Sequence, residues 1–329
     1  MRVSRKSFEA IWRRREFGLI LLIAVISLIV ATVDSGFLSR EVWIDILVRC
    51  APTSIVACGV MLVVVTGEID ISVGSLMAFL AAIMGLMISR NHGNLSCGWG
   101  LPATLLLGTV VGAITGGLVT WGRVPSIIVT LGLLTALRGM TTLMMRGENI
   151  DGLPEELTHL AKHGMLGLPV GVWVAALVIV VTQVLISGTP LGRRIYAVGS
   201  SPYSANLAGL SAHRLKLFVF AYTGFLTALA TVVDVPRLPK IDFGIGQELE
   251  LLVVTCVVVG GVSVSGGRGN LTGVMLGVLL MTMIRPVLTF LNIGETGEKW
   301  TKAVHGLFIM LAVVSDHACG RRSNQERVR

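Results

Sequence analysis

Along most of the chain, apolar residues continue for longer than a strand or an amphipathic helix face requires. Ten such runs fall at about 17–37, 48–66, 72–89, 101–121, 126–145, 167–187, 215–235, 249–265, 271–291 and 302–318. Most approach the ~20 residues that an α-helix needs to cross ~30 Å of hydrocarbon. The pattern predicts an all-α polytopic integral membrane protein with about ten transmembrane helices. The longest polar interruptions, 146–166 and 188–214, are shorter than the ~50 residues of a small independent domain. The expected organisation is a basic tail at 1–16, one transmembrane domain at 17–318 with an internal cytoplasmic loop at 188–214, and a second tail at 319–329.

Composition agrees with this reading. Of 329 residues, 53% are hydrophobic and 14% charged, against ~25% charged in soluble domains, and the mean hydropathy is +0.80. The basic N-terminus passes directly into an apolar run without a small-x-small cleavage site, which predicts an uncleaved first helix. The formal charge of +8 sets orientation and does not indicate nucleic acid. Arg2, Arg5, Lys6 and Arg13–Arg15, the C-terminal Arg321, Arg322, Arg327 and Arg329, and the internal Arg193, Arg194, Arg214 and Lys216 all fall in segments that the helix count places on one side. Under the positive-inside rule that side is the cytoplasm, and both termini lie there. Acidic residues mark the other side, in one group at Glu148, Asp151, Glu155 and Glu156 and another at Asp234, Asp242, Glu248 and Glu250.

Candidate chemistry is sparse. The five cysteines form no CxxC or Cys/His cluster and read as small packing residues, so no metal is expected. No GxxxxGK[ST] phosphate loop occurs; SGGRGN at 265–270 lacks the lysine. No cofactor is therefore expected on this chain. His305, inside an apolar run, reads as a helix-interface residue. Gly108, Gly112 and Gly116 recur every four residues and so share one helix face. That spacing fits close backbone approach between helices, with a narrow pore lining as the alternative.

One polar interruption differs from the rest. In VVVTGEIDISVGS (63–75), Glu68 and Asp70 stand between two apolar runs, where an acid at the bilayer centre costs ~2.5–3.5 kcal/mol on insertion scales. Two readings stay open. Asp70 and Ser72 suit a helix start at the interface. Alternatively, Gly67 and Gly74 break the backbone and the acids line a cavity. Arg138 and Arg285 also lie inside apolar runs and need a partner, for which Glu68 and Asp70 are candidates. VVVTGEIDISVG and VVVGGVSVSGG look alike, but the helix count ends both on the same side, unlike corresponding stretches of an inverted repeat.

VVVTGEIDISVGS, RVPSIIVTLG with the following LRG, GRRIYAVG, GQELELL and VVVGGVSVSGGRGNLTGVMLG resemble, in that order, the signature stretches of ribose-type permeases of bacterial ABC sugar importers. The resemblance runs from about 45 to 317. It implies a permease subunit in the bacterial inner membrane that carries a monosaccharide or similar ligand. It also implies three partners: an ABC ATPase chain holding ATP and Mg²⁺, an extracytoplasmic sugar-binding protein, and a second permease chain, identical or related. Matching positions are Gly67, Asp70, Ser72, Gly74 and Ser75; Pro125, Thr130, Leu131, Gly132, Arg138 and Gly139; Gly192, Arg193, Tyr196, Ala197, Gly199 and Gly209; and Glu248 with Leu249. Glu68, Asp70, Ser72, Gly74, Ser75, Arg138 and Glu248 are thus the expected pathway or gate residues. Gly192, Arg193, Arg194, Tyr196, Gly199, Ser201 and Gly209 are the expected ATPase-coupling residues.

Glu68 departs from a position that is usually Gly, uncharged or basic, and Ser201 from one that is commonly Asn. GENIDGLPEELTHL (147–160) is similar to the corresponding loop of autoinducer-2 and rhamnose permeases, which leaves rhamnose, ribose and autoinducer-2 type ligands as the expected range. The alternative function is an ion-coupled secondary transporter with Glu68 and Asp70 as the relay.

Overall fold

A computed structural model describes residues 15–164, 166–291, 300–308, 310 and 311. The cationic residues of both tails, Arg15 aside, lie outside the described residues, as do residues 309 and 312–318 of the tenth apolar run. The first helices are α1 (Arg15–Val33), α2 (Arg40–Val65), α3 (Val73–Ile88), α4 (Cys97–Thr120) and α5 (Ser126–Met145). A short α6 (Glu155–Lys162) precedes α7 (Val170–Gly188). Two short helices, α8 (Pro190–Ser200) and α9 (Pro202–Leu207), lead into α10 (Ala212–Asp234), which is followed by α11 (Leu249–Val259) and α12 (Leu271–Phe290). Residues 300–308 are helical as well. Ile150 pairs with Ile241 in an isolated antiparallel bridge.

Seven helices among the described residues are long and apolar enough to cross a membrane. Two edges differ from the hydrophobic pattern. Helix α2 starts at Arg40 rather than near 48, because Arg40, Glu41, Asp45 and Arg49 extend it beyond the apolar run, with Arg49 paired to Asp45 four residues back. Helix α11 stops at Val259 rather than running to 265. There the chain turns through Gly260 and Gly261, the latter at φ +92°, a conformation that glycine adopts without a Cβ penalty.

Helix α2 is the hub. Every residue from Cys50 to Val65 is buried, and the helix packs against α7, α10, α11 and α12. A helix apolar on all sides belongs inside a bundle. By contrast α1, α5 and α7 leave large apolar side chains uncovered, Leu28, Leu143 and Leu177 among them, as suits faces whose solvent is hydrocarbon.

The glycine face of α4 meets α10. A Cβ on Gly108 would come within 2.6 Å of Ala228 Cβ and 2.7 Å of Gly224 O. One on Gly112 would come within 3.0 Å of Gly224 Cα, and one on Gly116 within 3.0 Å of Leu217 Cα. The three glycines therefore set the spacing of a buried helix pair, and the packing interpretation of their repeat holds.

Two apolar helices are too short to span alone. Helix α3 has 16 residues and α11 has 11, or about 24 and 17 Å at 1.5 Å per residue. They begin side by side. A Cβ on Gly74 would fall on Glu250 Oε2 and on Gly246 O. From that level α3 rises to Ile88, near the Ile150–Ile241 bridge, while α11 descends to Gly260 and the turn whose Gly266 packs on Gly67. Gly67 to Ile71 join the end of α2 to the start of α3 in non-helical form. Two half-helices thus start near the middle of the bundle and point their N-termini at one another.

Candidate functional site

The break between α2 and α3 begins where Thr66 ends the apolar helix and Gly67 turns at φ +81°. Asp70 then folds back on its own chain: its Oδ1 accepts from Ser72 N at 2.8 Å and from Ser72 Oγ at 2.7 Å. The carboxylate and the hydroxyl are both buried. A carboxylate that accepts an N–H at a helix start satisfies one of the donors orphaned there. Ile69 N donates to Ser126 Oγ at 3.2 Å, which ties the break to the first residue of α5. Asp70 therefore forms a turn that leads into α3 from broken backbone, while the N-cap residue itself, Ser72, makes no side-chain capping bond.

Asp70→Asn keeps Oδ1 as an acceptor and is expected to melt close to the parent. Asp70→Ala leaves two buried donors without a partner, a loss of about 1–3 kcal/mol. A thermal-unfolding comparison of the purified variants checks this; equal midpoints for Asp70→Ala and the parent refute it.

One turn further along, Ser75 Oγ is buried with no hydrogen-bond partner, and across from it Glu250 Oε2 is buried and unpartnered as well. Arg138, on α5, donates from Nη1 to Ile245 O at 2.9 Å and Phe243 O at 3.3 Å. It lies within electrostatic reach of Glu250. Asp70, Ser72, Ser75, Glu250 and Arg138 thus gather at the facing starts of α3 and α11. The macrodipoles of both half-helices add positive character to this point. The cluster brings carboxylate, hydroxyl and guanidinium groups together at broken backbone, a feature of discontinuous membrane helices. Gly132 and Gly139 leave open space on the exposed face of α5.

The expected pathway residues separate into three places. Asp70, Ser72, Gly74, Ser75 and Arg138 belong to the cluster. Glu248 does not: at φ +62° its side chain turns away and accepts from Lys302 at 2.9 Å. Glu68 lies at the other end of the break, ion-paired with Lys216. Neither Glu68 nor Asp70 contacts Arg138, whose neighbours are the 243–245 carbonyls and Glu250. Arg285, the other intramembrane arginine, lines a cavity of about 320 Å³ with Glu248, Lys302 and His305, away from both acids. Glu250 was legible only as one of a group of loop acids. Its signal is its place inside LELLVV, where a carboxylate one residue into an apolar helix demands a partner.

The expected coupling residues form one compact unit. Thr189 and Ser201 cap α8 and α9 through their side-chain oxygens, accepting from Gly192 N and Ser204 N. A Cβ on Gly199 would fall on Val65 O and lie 2.7 Å from Gly267 N. That seats α8 between the end of α2 and the glycine turn after α11. Tyr196 donates its hydroxyl to Gly269 O at 2.8 Å; burial raises its pKa, so the phenol keeps that proton. Gly192 is buried, and Gly209 turns at φ +76°. Arg193 and Arg194 are exposed, and so are Tyr203 and Leu207 on α9.

Residues 42–313 match the family described as branched-chain amino acid transport system / permease component. The chain is 34% identical over 314 residues to the ribose import permease protein RbsC of Haemophilus influenzae, covering 94% of each chain. It is 32% identical to the autoinducer 2 import system permease protein LsrC of Yersinia pseudotuberculosis, covering 93% of this chain and 86% of that one. Among solved structures, an inward-facing conformation of a metal-chelate type ABC transporter superposes with a TM-score of 0.56 at 16% identity. That match covers 91% of this chain and 98% of the other, and it shows the fold alone.

Proposed function

This chain belongs to the branched-chain amino acid transport system / permease component family, and on that premise we propose that it is the permease subunit of an ABC importer for a small sugar-like ligand. The observation that carries the reading is the pair of half-helices meeting at Asp70, Ser72, Ser75, Arg138 and Glu250, on the opposite side of the break from the α8–α9 unit. A ribose or autoinducer-2 type ligand suits hydroxyl, carboxylate and guanidinium partners, which all bond readily to hydroxyl groups. Relatives alike along nearly their whole length are named for ribose and autoinducer-2, which favours this class over the amino acids of the family's description.

The remaining assignments follow from the same reading. ATP and Mg²⁺ belong to a separate ATPase subunit that docks on α8 and α9. An extracytoplasmic binding protein delivers ligand to the face that carries α6 and the 234–250 loop. A second permease chain, the same or related, completes the pathway against α5. Both termini and the 188–214 segment lie in the cytoplasm. The ion-coupled alternative draws no support from the geometry: Glu68 is engaged by Lys216 and Asp70 by Ser72, so the two acids do not form a relay.

Reconstitution with an ATPase subunit and a binding protein in proteoliposomes tests the function. Uptake that requires ATP inside and persists with ionophores is the expected result. Uptake driven by an ion gradient without the ATPase overturns it. Within such a system, Arg193→Glu with Arg194→Glu reverses two exposed charges beside the proposed docking surface. Co-purification of the ATPase and uptake are both expected to fall about tenfold or more, since juxtaposed like charges cost several kcal/mol at an interface. Unchanged co-purification would remove α8 from that surface.

A further inference from the structure

Lys216 donates from Nζ to Glu68 Oε1 across 148 positions of sequence, and the two side chains keep only 18% and 15% of their surface exposed. Glu68 sits at the cytoplasmic start of the break, right after α2. Lys216 sits one turn into α10. Helix α10 follows α9 after only four residues, 208–211, and Ser211 caps it by accepting from Arg214 N. Lys216 is thus linked to α9 through four residues, whereas Glu68 is linked to the end of α2, on whose Val65 carbonyl α8 is seated.

The other ties at this junction have a different character. Gly267 N donates to Val65 O at 2.8 Å, which ties the turn after α11 to α2, and Gly199 of α8 packs on the same carbonyl; both are backbone contacts. Among the described residues, Glu68–Lys216 is the one ion pair joining the break to α10. Largely removed from water, it is either closed or broken, because separating the partners leaves each charge uncompensated. A contact with two discrete arrangements is what energetic coupling between distant elements needs.

We infer that Glu68 and Lys216 form a latch that holds the cytoplasmic end of the α2–α3 break against α10 at rest and opens when the α8–α9 unit moves. Glu68 departs from the stretch shared with ribose-type permeases, so the latch belongs to this chain and not to the resemblance. Both residues act through the break and touch no ligand; they are positioning residues. The inference rests on the importer reading, and the parent complex is measured first to keep the two apart. Absence of ATP-driven uptake by the parent overturns that reading and the latch with it, whereas parent-like variants of an active parent overturn the latch alone.

Glu68→Gln and Lys216→Met are each expected to raise binding-protein-independent ATP hydrolysis by about fivefold or more, the lower end of usual coupling factors, while uptake per ATP falls. The exchanged pair Glu68→Lys with Lys216→Glu is expected to restore tight coupling. Hydrolysis and uptake at parent levels in both single variants overturn the latch. A purely structural bridge is distinguished by a lock. In Glu68→Cys with Lys216→Cys, a short reducible bis-methanethiosulfonate linker is expected to stop uptake until reductant is added, with the parent and its native cysteines treated alike. Uptake at the parent rate while cross-linked shows that the junction never opens, and the latch falls.

Discussion

Gly112→Ala is expected to remove most of the protein from the membrane fraction, while Gly117→Ala on the same helix leaves its level unchanged. The added methyl at Gly112 would meet Gly224 Cα at 3.0 Å and Gly224 N at 3.1 Å, and would fall on Phe220 O. None of these is the movable end of a side chain. The whole of α4 or α10 has to shift, and Gly108 and Gly116 pin the same interface on either side. Forcing even small groups into a well-packed contact costs about 1–3 kcal/mol, and the upper end applies where the obstacle is backbone. At Gly117 a Cβ meets only Trp121 of its own helix, at 3.6 Å. Immunoblotting of membranes and thermal unfolding of the purified variants decide the matter; equal accumulation of the two alanine variants refutes the assignment.

The second large effect concerns Arg138. Arg138→Met removes the donor to Ile245 O and Phe243 O and the positive charge near Glu250, whose Oε2 is already buried without a hydrogen bond. Leaving a buried charge uncompensated costs 3–5 kcal/mol where burial is complete; for half-buried groups about 2–3 kcal/mol is appropriate. The expected result is a lower melting midpoint and uptake reduced about tenfold or more, each 1.4 kcal/mol being one factor of ten. Adding Glu250→Gln removes the stranded charge. It is expected to recover the midpoint and not the uptake, because the guanidinium is still missing from the facing helix starts. Non-additive midpoints in this double-mutant cycle report the coupling directly. If Arg138→Met imports like the parent, the cluster is not on the ligand's route.

How much of this was legible in the sequence varies from residue to residue. The Gly108, Gly112, Gly116 repeat announced a helix contact by spacing alone, although its partner, Gly224 on α10, carries no comparable repeat. Asp70 with Ser72 announced a helix start, because the two residue types act on donors within two positions of themselves. Glu68 announced only a misplaced charge. Its partner stands 148 positions away, and no local pattern connects a break after α2 with the first turn of α10. Glu248 and Glu250 look equivalent in GQELELL. Yet the backbone at Glu248 turns into the left-handed region and directs it to Lys302, while Glu250, two residues on, faces Gly74.

Hydrophobic run length determined the class of the protein, because the bilayer sets one length that a helix must reach and the apolar residues meet it locally. The placement of Lys and Arg, and the capping and turn residues at Asp70, Ser201 and Ser211, likewise act over a few positions and can be read along the chain. Tertiary structure alone decided that α3 and α11 are half-helices with facing starts, that Arg138 serves the 243–245 carbonyls and Glu250 rather than Glu68 or Asp70, and that Glu68 belongs to Lys216. A charge in a low-dielectric interior takes whichever partner the packing of distant helices brings within reach, and that packing is fixed by close contacts such as Gly112 on Gly224, spread over the whole bundle.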